Sequence, residues 1–114
     1  MENNFTLDCK RFRALENASG LSSSETIFTY RQEGSLITGE YKGGEIEFGN
    51  IVGKFIPPTT VELLFQCKTK NNALLSGKSE GVVQKNNNGK LTISFKWQWL
   101  SGAEGSGNSY HEEI

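Results

Sequence analysis

The stretch Lys90-Leu91-Thr92-Ile93-Ser94-Phe95-Lys96-Trp97-Gln98-Trp99-Leu100 alternates without a break. Leu91, Ile93, Phe95, Trp97 and Trp99 share one parity; Lys90, Thr92, Ser94, Lys96 and Gln98 share the other. Successive side chains of an extended chain point to opposite faces. The pattern therefore predicts a strand with one apolar face on a core and one polar face in water. Two tryptophans side by side make that strand the heaviest wall of the core it joins.

Outward from this strand, similar runs recur about every ten residues, separated by turn residues. Residues 5–15 read as a first strand with a break near Asp8. Residues 17–24 are too polar to pack and form a loop with room for one helical turn. Residues 25–32 put Phe28 and Tyr30 on one face, and residues 35–42 group Ile37, Gly39 and Tyr41. Gly43-Gly44 supplies the positive φ of a tight hairpin. In residues 45–55 the parity changes, with Ile46 and Phe48 even but Ile51, Gly53 and Phe55 odd. One extra residue near Gly49-Asn50, a β-bulge, accounts for the change. Residues 59–70 turn Val61, Leu63, Phe65 and Cys67 inward, residues 73–85 form the next strand, and residues 108–114 the last.

These runs amount to eight strands with short connections and no amphipathic helical pattern. Glycines within the runs (Gly39, Gly49, Gly53, Gly77, Gly81) suit the bends of a small closed barrel. The expectation is an all-β, eight-stranded antiparallel up-and-down barrel of the kind found in lipocalins and streptavidin, with a β-sandwich as the alternative. At 114 residues, a single domain spanning 1–114 is expected.

Composition removes several functions. Basic and acidic residues number 12 and 13 and are interspersed, so no basic footprint for nucleic acid or an anionic membrane surface forms. No apolar stretch approaches membrane-spanning length. The first residues contain no apolar run and are not read as a signal peptide, which makes a cytoplasmic location the expectation. Cys9 and Cys67 then read as two thiols, Cys67 as a small buried hydrophobe. With His111 they are too few and too scattered for a metal site, and no cofactor is implied.

The hairpin before the tryptophan strand decides what faces the indoles. A three-residue loop, Asn87-Asn88-Gly89 with Gly89 left-handed, sets Ser79 opposite Trp97 and Gly77 opposite Trp99. A two-residue loop sets Glu80 and Lys78 there instead, because one residue of slip exchanges the faces. The three-residue loop is favoured, since it leaves Lys78 and Glu80 in water and spares the interior an ion pair.

Letter matches to catalytic motifs fail on context. Gly77-Lys78-Ser79-Glu80-Gly81 has the form G-x-S-x-G, but it lies inside a strand pattern with no helix behind it. The glycine-rich run Gly102 to Gly107 leads into a strand, so it lacks the helix N-terminus that would bind a pyrophosphate. His111 reads as a solvated strand residue. Glu112, if it shares an inward face with Tyr110, becomes the one acidic group near the tryptophans, with a raised pKa.

Ligand contacts are therefore expected from Trp97 and Trp99 as a stacking wall, with Tyr30, Tyr41, Gln66, Ser79 and Glu112 as polar partners. The leading function is binding of a small, partly apolar molecule in the barrel. The alternatives are a cyclase- or isomerase-type enzyme using Glu112 or His111 in the same cavity, and a solid barrel that acts as a homodimeric interaction protein.

Four blocks carry a resemblance: Gly39-Glu40-Tyr41-Lys42-Gly43-Gly44, Ile46-Glu47-Phe48-Gly49-Asn50-Ile51-Val52-Gly53, Trp97-Gln98-Trp99, and Gly107-Asn108-Ser109-Tyr110-His111-Glu112-Glu113. Together they resemble a family of small bacterial proteins of about 110 residues often labelled N-acetylglutamate synthase, over residues 9–114. Acetyl-CoA-dependent acyltransferases alternate helices and strands and open a helix with a pyrophosphate loop. This chain has neither, so the resemblance implies fold and location and no acetyltransferase activity. In outline the chain also resembles calycin-type barrels, without the lipocalin G-x-W near the first strand, where it reads Cys9-Lys10-Arg11-Phe12.

Overall fold

A computed structural model describes residues 5–17 and 23–114. Its strands, in chain order, are β1 Lys10–Asn17, β2 Ile27–Glu33, β3 Leu36–Gly43, β4 Ile46–Ile56, β5 Thr60–Thr69, β6 Leu74–Lys85, β7 Leu91–Ser101 and β8 Ser106–Glu113. Each pairs antiparallel with the next, and β8 pairs back to β1, which closes the barrel. Closure leaves no sheet edge and excludes the sandwich. The helical turn expected in residues 17–24 falls largely outside the described residues.

Strand β7 carries the expected alternation except at Thr92, which is buried rather than in water, its hydroxyl donating to Gln84 O at 3.5 Å. Leu91, Ile93, Phe95 and Trp97 are buried, Trp99 is half-buried, and Lys96 and Gln98 are exposed. The β6–β7 hairpin uses the three-residue loop: Asn86 N donates to Lys90 O at 2.8 Å, and Gly89 has φ +79°. The register that follows places Ser79 opposite Trp97 and Gly77 opposite Trp99, leaving Lys78 and Glu80 exposed.

The bulge sits two residues before the expected position. Ile46 pairs with Thr69 and Phe48 with Lys68, so Glu47 is the extra residue. Phe48 is consequently outside, and Gly49 is inside beneath the Tyr41 ring. A Cβ on Gly49 would lie 2.4 Å from that ring. Two further inward rings lie on glycines of β6. Phe65 faces Gly77 and Phe95 faces Gly81, with Cβ positions 2.5 and 2.6 Å from the rings. In these cross-strand pairs a missing side chain makes room for a ring that would not otherwise fit so narrow a barrel.

One end of the barrel is plugged. The first strand begins later than expected, and the segment before it turns inward through Cys9 at φ 60°. Leu7 becomes fully buried and joins the hydrophobic core. Its amide donates to Gln32 Oε1, and Gln32 N donates to Asp8 Oδ1, each at 2.9 Å. Burying one leucine side chain contributes about 1.5–3 kcal/mol, enough to hold so short a segment.

Candidate ligand cavity

Above the plug the barrel keeps a cavity of about 60 Å³. Its position follows from the strand registers. Tyr30, Phe28 and His111 lie deep; Trp97 and Ser79 lie higher; Tyr41, Phe65 and Trp99 lie toward the end where β7 finishes and β8 begins. Phe65, Ser79 and Trp99 are the half-buried members. Trp97 and Trp99 meet edge to face at 5.5 Å, and Phe65 meets Trp99 the same way at 5.9 Å. Phe28 stacks on Tyr41 at 5.0 Å. Such offset and edge contacts add about 0.5–1.5 kcal/mol per pair beyond burial, so the wall is rigid.

The lining is uncharged. Among the described residues that line the cavity there is no Asp, Glu, Lys or Arg. Burial pushes the phenols of Tyr30 and Tyr41 well above their ordinary range; Tyr41 is raised further by Cys67, whose thiol its hydroxyl meets. Burial likewise pushes the Cys67 thiol up. Burial moves His111 the other way, down to about 4. All four groups are neutral at pH 7. The polar atoms left are hydroxyls, a thiol, ring nitrogens and the imidazole.

Five of the seven expected ligand contacts line the cavity together: Trp97, Trp99, Tyr30, Tyr41 and Ser79. Two do not. Gln66 is exposed on the outer face of β5, opposite Asn50 and Ser76. Glu112 takes the outer parity of β8, where its Oε2 accepts from Asn86 Nδ2 at 2.9 Å. The inward residues of β8 are Ser109 and His111, because the hairpin sets them opposite Phe95 and Ile93. His111, expected in solvent, is only 4% exposed. Its imidazole lies against Phe28 at 4.6 Å and Phe95 at 4.9 Å. The sequence signal for this was the parity Ser109–His111, legible only once the length of the β7–β8 turn is known. In that turn Trp99 N donates to Gly105 O at 3.0 Å, with Gly102 and Gly105 at positive φ, so the glycine-rich run makes a hairpin loop.

A closed meander of eight antiparallel strands plugged at one end, with an aromatic lumen toward the other, defines the class of small calycin-like barrels. Within that class, the family described as avidin-like protein matches residues 5–114. The chain belongs to the avidin-like family. No curated protein and no solved structure matches it. Neither the barrel nor the family supports the N-acetylglutamate synthase label.

Proposed function

We propose that the protein binds a small, partly apolar molecule in the barrel against Trp97 and Trp99. The observation that carries this reading is the uncharged cavity in which two indoles, Phe65 and Tyr41 meet the hydroxyls of Ser79 and Ser109. Apolar walls with a few placed polar groups are how proteins hold small ligands. Membership of the avidin-like family supports the same reading, since avidin-like proteins bind small ligands such as biotin. The carboxylate that an acid–base enzyme would need, Glu112, lies outside the lumen and supports no catalytic role.

Size constrains the ligand. Pockets for drug-sized molecules measure about 300–1,000 Å³, well above the space left here. Anything larger than a few heavy atoms enters only if Phe65 and Trp99, the half-buried rings at the mouth, swing outward. The two tryptophans are the only ones in the chain, so intrinsic emission reports directly on this site. Titration with a panel of neutral and charged metabolites, biotin included, is expected to shift or quench that emission for at least one member. The Trp99→Phe variant is expected to keep half of the reporter and lose affinity. An unchanged spectrum across the whole panel, with binding also absent by calorimetry, would refute the reading.

A further inference from the structure

The His111 imidazole is one of the buried polar groups of the lumen. It is buried, it lines the cavity, and its Nδ1 has no hydrogen-bond partner among the described residues. The ring is held by Phe28 and Phe95. A buried polar atom without a partner is a standing cost that a ligand relieves by supplying the missing hydrogen bond. Around it the lining holds no formal charge, and burying an isolated charge there would be far more costly than burying an amide or hydroxyl.

On the reading that the lumen holds a small molecule, we infer that His111 is the polar anchor of that site. Its ligand class is an uncharged ring or amide compound whose hydrogen-bonding group is buried first. That group pairs with the imidazole, the flat apolar part lies along Trp97 and Trp99, and any charged substituent stays at the mouth. Ser79 and Ser109, which line the same cavity, take a second hydrogen bond. The site therefore selects against carboxylates and ammonium groups at its buried end.

The test uses four probes of similar shape: benzamide, toluene, benzoate and benzylammonium, each titrated calorimetrically at pH 7. Benzamide is expected to bind at least tenfold tighter than the other three. His111→Phe is expected to remove that preference, so that benzamide and toluene bind the variant within about twofold of each other. Because the chain has a single histidine, ring ¹⁵N resonances of the histidine-labelled wild type belong to His111 alone. They are expected to move with benzamide and stay still with toluene, a readout that survives if the variant does not fold. Equal binding of benzamide and toluene with unmoved ring resonances overturns the anchor and leaves lumen binding standing. Binding by none of the four overturns the anchor and counts against the lumen as a ligand site.

Discussion

Acid is expected to weaken this barrel through a single residue. His111 is the only histidine, so it is the one side chain whose ordinary pKa lies between pH 5 and 8. Burial lowers it from 6.5 to about 4 in the barrel. The unfolded chain therefore binds its proton first as pH falls. Stability contributed by keeping the imidazole neutral is complete above pH 6.5, declines between 6.5 and 4, and is gone below 4. Linkage gives about 3 kcal/mol for the whole window, and about 2 kcal/mol of it is lost by pH 5. That is a large part of the 5–15 kcal/mol typical of a domain. Urea unfolding at pH 8, 7, 6 and 5 measures it. With slopes of about 1–3 kcal/mol per molar, the midpoint should fall by roughly 1–2 M across the series. In His111→Gln the fall should nearly vanish, whatever the variant's stability at pH 8. Parallel curves for wild type and variant over this range would refute the burial of a neutral imidazole.

Other perturbations test other parts. Gly53→Ala places a Cβ 2.2 Å from the Glu62 carbonyl oxygen, a backbone atom that cannot yield, and should cost about 1–3 kcal/mol by denaturant unfolding. Deleting Asn88 shortens the β6–β7 loop and should turn Lys78 and Glu80 inward; loss of a cooperative unfolding transition is the expected result, and a fully native variant would contradict the register argument. Cys9 is exposed and Cys67 is buried with a raised pKa, so a thiol reagent should label one cysteine in the native protein and the second only in denaturant. Trp97→Ala should cost about 3–5 kcal/mol, read from thermal or urea midpoints, because the indole fills the centre of the lumen wall.

Much of the architecture was legible in the chain because it depends on local chemistry. Alternation from Leu91 to Trp99, turn residues at short intervals and a loop geometry available to Gly89 are properties of a few neighbouring residues. They dictate strands, hairpins and, through the Asn87-Asn88-Gly89 loop, the register that sets Ser79 and Gly77 opposite the two indoles. The approximate place of the β4 bulge also showed in the parity of residues 46–55, but its position did not. Phe48 and Gly49 compete for the inward site, and the winner is decided by the Tyr41 ring arriving from β3.

The site shows the same division. Trp97, Trp99, Tyr30 and Tyr41 were found because each lies on a strand whose parity is unambiguous, and Ser79 because the favoured three-residue loop sets it opposite Trp97. Gln66 and Glu112 were misplaced because a polar residue beside alternating hydrophobes signals its face only through its neighbours' partners. Sequence alone determined that this chain alternates and turns as a run of short strands with an aromatic inner face, since those features follow from side-chain period and turn chemistry; closure into a barrel rather than a sandwich was decided by the pairing of β8 with β1. Tertiary structure alone decided that His111 rather than Glu112 enters the lumen. The inward parity of β8 is set by its pairing with β7 and β1, contacts between residues distant in the chain that no local pattern encodes.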